Sequence, residues 1–254
     1  MRRSSISPAP ARPAAPGSPA WWSQRGHDAN GKRRGRPPRS LEQIIAVAGE
    51  LLDDVGADAF TMRALAARLN TSTATLYRHF QGKDELMVYV VDRFLGAVPS
   101  RAAHRPPRTW QDIARARVMR LHEALSQHPN VVPLLTAEVP IGPHGLAVRE
   151  ATISELVRFG FSAELAARAY TTLAHYVVGF AAQQHAPGAP GPRRAAQLRD
   201  YYLSLDPERF PSTVAAADAL TTIPLEIEFA EGLQFILSGI ECALAAGGEL
   251  ASGP

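Results

Sequence analysis

Two very short helical stretches, each with its own start and stop signals, lie back to back between residues 61 and 80. They constrain the fold more than anything else in the sequence. Thr61 is an N-cap by residue type, and Phe60 before it and Leu65 four positions after it are placed as a hydrophobic staple. The spacing predicts a helix over 62–69 with Leu65, Ala66 and Leu69 turned inward. Asn70 ends it, the residue that after glycine best tolerates a left-handed C-cap. Thr71 or Ser72 then caps a second helix over 73–80, whose Leu76 and Phe80 are four apart and face the core. Gln81 and Gly82 turn the chain into a longer helix over about 83–94, carrying Leu86, Val90, Val91 and Phe94. Upstream, Ser40 and Gln43 have the form of a capping box. Ile44, Ile45, Ala48, Leu51, Leu52 and Val55 follow as one apolar helical face, ended by Gly56.

Two short helices joined by a tight turn and framed by longer ones form a helix-turn-helix unit. Its second helix enters a major groove, so its outer face must carry donors and small groups. Thr73, Thr75, Tyr77, Arg78 and His79 supply them. Thr73 offers a hydroxyl or a methyl to a base edge, and Arg78 can donate in bidentate fashion to guanine or meet a phosphate. Tyr77 and His79 suit phosphate and sugar contacts, or serve as ordinary half-buried helix residues. Lys83, at the start of the next helix, sits where an ammonium and free backbone N–H groups can hold a phosphate.

Charge is unevenly placed along the 254 residues. Residues 1–40 carry nine Lys or Arg and one acid, Asp28, while the remainder is net acidic, leaving only +3 for the whole chain. A basic arm on an acidic body fits a polyanion or an anionic membrane face, and equally a solvated tail. Proline, alanine, serine and arginine dominate 1–38, a composition that cannot bury enough surface to order itself. The paired Trp21 and Trp22 stand out there, either docking on something or incidental. One cysteine, Cys242, excludes an internal disulfide and a cysteine-based zinc cluster. No stretch approaches the apolar run a membrane span needs, and the N-terminus lacks a signal peptide's apolar segment, so a cytoplasmic protein is expected.

Residues 61–86, TMRALAARLNTSTATLYRHFQGKDEL, resemble the DNA-binding signature of the TetR family of transcriptional regulators. Thr61, Leu65–Ala66, Ser72, Ala74, Thr75, Leu76, Tyr77, His79, Phe80 and Lys83 match its pattern; Asn70 and Thr71 depart from its usual Gly and Val. The resemblance implies that Thr73, Thr75, Tyr77, Arg78, His79 and Lys83 lie at or near DNA, and that Thr61 caps its helix and touches a phosphate. The stretch from His128, with those from Asp206 and Phe229, is similar to the C-terminal half of the tetracycline-repressor-like subgroup. That likeness implies a homodimer joined by two long helices per subunit, here about 162–185 and 225–246. Ala167, Tyr170, Leu173, Val177 and Phe180 are the apolar positions of the first, and Phe229, Leu233, Ile236, Ile240 and Leu244 those of the second. Beside this unit, KRRGRPPR at 32–39 resembles an AT-hook, whose Arg34 and Arg36 would enter a minor groove; a plain linker is the other reading.

The expected fold is therefore all-α: a disordered basic arm over 1–38, a helix-turn-helix domain over 39–96, and a helical effector-binding and dimerisation domain over 108–248. Helices are expected near 110–127, 130–136, 145–160, 162–185 and 224–246, with short turns near 196–205 and 213–220 and a breaker over 186–192. The expected function is a ligand-responsive regulator, a repressor, that binds a palindromic double-stranded DNA operator as a homodimer and is released by a small-molecule effector. Arg115, His122, Arg149, His175 and Gln183 are the candidates to contact that effector, each readable as an ordinary structural residue. Histidine spacing matches no metal motif and no phosphate or nucleophile motif is present, so neither metal, cofactor nor enzyme is expected. The competing readings are an activator of the same fold and a non-specific architectural DNA-binding protein. The latter would need a basic body, which this chain lacks.

Overall fold

The computed structural model describes residues 14–25, 39–99, 109–186 and 191–251, with the side chains of 39, 40 and 247–251 outside that description. The expected AT-hook residues Arg34 and Arg36 lie outside the described residues, as do 187–190 of the expected breaker. Among the described residues there are α-helices and one 3₁₀ turn, and no strand. The chain divides into two compact units, Met1–Ala97 with Ala137–Val148, and Val98–Thr136 with Arg149–Pro254.

The first unit contains α1 (Pro19–Arg25), α2 (Arg39–Ala59), α3 (Met62–Arg68), α4 (Thr73–Tyr77) and α5 (Lys83–Ala97). Helix α2 begins one residue ahead of the expected cap Ser40, and its helical geometry breaks at Gly56, which sits at φ 76°. Only glycine adopts that conformation without cost, so the sequence stop signal and the break coincide. Ile44, Ala48, Leu51 and Leu52 are buried as the periodicity requires, while Val55 at the end of the stripe is exposed. Helix α3 is capped by Thr61, whose Oγ1 accepts from the Ala64 N–H at 3.1 Å. Asn70 follows in the left-handed region at φ 49°. Asn70→Ala is expected to cost about 1 kcal/mol because a Cβ-bearing residue without a local side-chain hydrogen bond is disfavoured there, read as a lower urea midpoint at unchanged slope. Asn70→Gly should retain stability, and a comparable loss with glycine would refute this account.

Ser72, not Thr71, caps α4, accepting from Thr75 N–H at 3.2 Å. Helix α4 is shorter than the expected 73–80: it ends at Tyr77, and residues 78–80 close as a turn in which His79 and Phe80 N–H both donate to the Leu76 carbonyl. Leu76 and Phe80 are fully buried.

The expectation of a disordered arm through residue 38 fails at α1. Trp21 and Trp22 are 2% and 4% exposed, in ring contact with each other and with Tyr89 of α5. Composition counts residues, but tryptophan contributes by area. Each ring buries roughly 150–250 Å², on the order of 4–6 kcal/mol. The pair therefore offsets the roughly 1–2 kcal/mol per residue needed to fix a seven-residue helix.

The second unit holds α6 (Trp110–Gln127), a 3₁₀ turn (Pro129–Val131), α7 (Val132–Ala137), most of α8 (Pro143–Arg158), α9 (Ala163–Gln184), α10 (Pro192–Leu203), α11 (Pro211–Ala215), α12 (Ala219–Thr222) and α13 (Leu225–Ala251). Thr109 and Asp112 make a reciprocal capping box at the head of α6. Helix α10 replaces an expected short turn. Its first residue is Pro192, the last proline of the expected breaker, because proline is favoured at the first helical position. Helices α6, α9 and α13 pack around one core. Leu173, Val177, Phe229, Leu233, Leu237 and Ile240 lie inside it. Several residues expected on a dimer face are thus interior to the subunit itself. Helix α13 presents a different apolar surface outward, with Phe235 74% exposed. By length and composition Leu225–Ala246 is apolar enough to cross a bilayer, and 17% of it is buried within the chain.

Candidate nucleic-acid interface

Helix α4 has one buried side and one open side. Leu76 and Phe80 pin it from behind, so the side chains between them face solvent at fixed positions. Ala74, Tyr77, Arg78 and His79 are exposed, and Thr73 and Thr75 are half-buried. Tyr77 leaves 55% of its surface in water, and among the described residues no ring or hydrogen-bond contact holds it.

A hydrogen-bonded row runs along this face. Ser72 Oγ lies 3.0 Å from Thr75 Oγ1, which accepts from Arg78 Nη2 at 3.2 Å. Thr75 is therefore occupied in orienting Arg78, whose remaining guanidinium donors stay available. Arg68, on α3, is held by Asp54 and Glu50 of α2, whose charges raise its pKa, with the Asp54 hydrogen bond as the main cause. Lys83 is less free than expected. Its Nζ donates to the Ala57 carbonyl at 2.5 Å and lies 5.9 Å from the Phe60 ring centre. Two of its three donors remain for a phosphate, and its stem ties α5 to the end of α2.

The sequence reading passed over Glu85 and Asp92, which are buried at 2% and 7% exposure. Glu85 accepts from the Gln81 N–H at 2.6 Å and pairs with Arg25 at 2.5 Å. Asp92 accepts from the His144 and Gly145 N–H groups at 3.0 Å each, with His144 Nδ1 at 2.9 Å. Acidic residues in a helix read as solvated until a distant cation or helix end is placed against them.

In the second unit an aromatic cluster brings α6, α9 and α13 together. His122 stacks on Phe229 at 4.0 Å, Tyr176 stacks on the same ring at 5.1 Å, and Phe180 meets it edge-on at 5.0 Å. His122 Nε2 lies 3.3 Å from Gln184 Oε1. Tyr176 donates to the Phe229 carbonyl at 2.8 Å. Burial, then the nearby Glu228 carboxylate, push the Tyr176 phenol up, keeping it a donor. Of the expected effector contacts, His122 is at this cluster, and Arg115 donates to Gln234 of α13 at 2.5 Å. Arg149 lies 5.7 Å over the Tyr170 ring. His175 and Gln183 are exposed on α9. Tyr176, Phe180 and Gln184 recur at four-residue steps, a pattern that was legible in the sequence as an inward stripe. Helices α9 and α13 also line a shallow open groove with Leu165, Ala169, Thr172, Ile236, Gly239 and Ile240. Among the described residues no three His, Cys, Asp or Glu side chains are grouped to hold a metal ion.

Comparison with known proteins matches residues 44–90 to the family of bacterial regulatory proteins, tetR family, and 104–244 to the tetracyclin repressor-like C-terminal domain. An HTH-type transcriptional regulator of Saccharopolyspora erythraea is 30% identical over 146 residues, 58% of this chain and 61% of that protein, so the match spans under two thirds of the relative's length. The class A tetracycline repressor from transposon 1721 of Escherichia coli is 26% identical over 197 residues, 78% of this chain and 88% of the repressor. The crystal structure of the Streptomyces coelicolor TetR family protein ActR in complex with actinorhodin aligns with a TM-score of 0.74 and 31% identity, covering 82% of this chain and 99% of that one.

Proposed function

This chain belongs to the tetR family of bacterial regulatory proteins, a helix-turn-helix family of DNA-binding transcriptional regulators, and on that premise we propose that it is a homodimeric repressor released from its operator by a small-molecule effector. The observation that carries the DNA reading is the open face of α4: an exposed tyrosine and an oriented arginine on a helix pinned by Leu76 and Phe80. Two such helices, one per subunit, enter successive major grooves about 34 Å apart, which makes the operator an inverted repeat. Thr73 and Arg78 read bases; Thr61, Tyr77, His79 and Lys83 meet the backbone; Arg34 and Arg36 reach an adjacent minor groove.

Support for the dimer comes from α13. A long apolar helix with Phe235 largely exposed, flanking the groove it forms with α9, leaves open the kind of apolar surface that marks a protein–protein contact. A second copy covers it by two-fold symmetry. The effector side rests on the second unit's interior, where a histidine and three aromatic rings converge, and on the solved complex of a similar protein with actinorhodin. The effector acts only through its affinity difference between the DNA-bound and released forms. Such a regulator works in the cytoplasm, where DNA and effector meet.

A selection from random duplex DNA tests this reading, run beside light-scattering sizing. The expected results are an inverted repeat bound in the presence of unrelated competitor DNA, and a mass twice the 27.4 kDa chain. Phe235→Asp should yield a folded monomer with lost operator affinity. Sequence-independent binding would favour the architectural alternative, and a monomer that binds the full site would overturn the dimer.

A further inference from the structure

We propose that α1, the short tryptophan helix ahead of the helix-turn-helix, is a positioning element for the recognition helix α4; this rests on the reading of α4 as the DNA reader. Three contacts carry it, all inside the first unit.

The first is a chain of rings. Trp21 and Trp22 meet edge-on at 4.8 Å, both reach Tyr89 at 5.6 and 5.7 Å, and Tyr89 meets Phe80 at 5.8 Å. Phe80 closes the turn that ends α4, its N–H donating to the Leu76 carbonyl at 3.0 Å. The rings of α1 therefore back the residue that pins the reading helix.

An ionic bridge makes the second contact. Glu85 is 2% exposed, and a carboxylate that deep needs a counter-charge. Arg25 supplies it at 2.5 Å while lying 4.0 Å over the Trp21 ring. The other Glu85 oxygen accepts from the N–H of Gln81, the residue directly after Phe80. Arg25 thus holds the carboxylate that holds the turn after α4. Without that cation the buried carboxylate loses its partner and turns toward water, which weakens its grip on Gln81.

The third contact lies at Gly142. A Cβ there would collide with the Asp92 carboxylate and stand 2.8 Å from the Trp22 ring. Trp22 and Asp92 therefore close on the same backbone, and Asp92 also caps the start of α8 through His144 and Gly145. Helix α1 reaches the turn behind the reading helix through Glu85 and Tyr89 of α5, and stands beside the segment that begins α8.

The test uses full-length protein. Amide hydrogen exchange is followed in Arg25→Met, Arg25→Lys and Trp22→Ala, together with affinity for the selected operator. In Arg25→Met, exchange at residues 76–81 is expected to accelerate about tenfold or more. Operator affinity should fall by a similar factor, while exchange in α6, α9 and α13 stays as in the parent chain. Arg25→Lys should restore most of both, because a lysine can still meet Glu85. Trp22→Ala should loosen residues 76–81 and 138–145 together; if that variant does not fold, the two Arg25 variants decide. Exchange at 76–81 within about twofold of the parent in Arg25→Met, or equal acceleration across the whole chain, overturns the proposal. Should the parent chain select no DNA, the regulator reading fails on its own, and the exchange data still decide whether α1 anchors α4.

Discussion

Replacing Tyr77 and Arg78 together by alanine is expected to weaken operator binding by about a hundredfold or more, since one well-placed base contact is worth about 1–3 kcal/mol and each 1.4 kcal/mol is tenfold. Both side chains are exposed, so their removal takes nothing from the core, and Leu76 and Phe80 continue to pin α4. The loss should therefore appear in binding and not in the melting curve. The single variants separate the two roles. Arg78→Ala should change which base is preferred at one position of each half-site, whereas Tyr77→Ala should lower affinity evenly across sequences. If Arg78 instead meets a phosphate, its removal lowers the salt slope of log K by about 0.9 per lost contact in each half-site. Anisotropy titrations on operator and scrambled duplex at several salt concentrations distinguish these outcomes. An unchanged affinity in the double variant would remove α4 from the interface.

The largest stability effect is expected at Phe229, whose replacement by alanine should cost about 3–5 kcal/mol. The ring is 1% exposed and carries contacts from His122, Tyr176 and Phe180 at once, so no single neighbour can collapse into the space. Against a typical domain stability of about 5–15 kcal/mol, that is a large fraction of the total. The urea midpoint should fall at unchanged slope. Trp110, packed on Phe161 in the same unit, should report the earlier transition by fluorescence. Phe229→Leu should lose markedly less, because it retains most of the volume. A cost below about 1 kcal/mol for alanine would show that the ring is not a packed keystone of α6, α9 and α13.

The helix-turn-helix was readable because its determinants are local. Thr61 and Ser72 cap their helices through hydrogen bonds three residues long, and Asn70 adopts the left-handed turn its side chain tolerates. Leu76 and Phe80 face inward because four residues is one helical turn. The buried acids and α1 were not readable. Glu85 is stabilised by Arg25, sixty residues earlier, and nothing at either position announces the other. The tryptophan pair lay inside a segment whose average composition argues for disorder, yet two rings meeting Tyr89 outweigh that average.

The long helices show the same division. Periodicity correctly marked apolar stripes on α9 and α13, and Leu173, Val177, Phe229, Leu233 and Ile240 are buried. It could not say whether a second copy or the subunit's own α6 covers them, since both give one buried stripe per helix. By itself, the sequence determined the caps, the turn and the outward residues of α4, because hydrogen bonds within one or two turns decide those. Only the tertiary structure decided which stripe is core, which apolar face of α13 is left open, and that α1 belongs to the DNA-reading unit. Burial depends on what the rest of the chain brings alongside, and that is not a property of any local stretch.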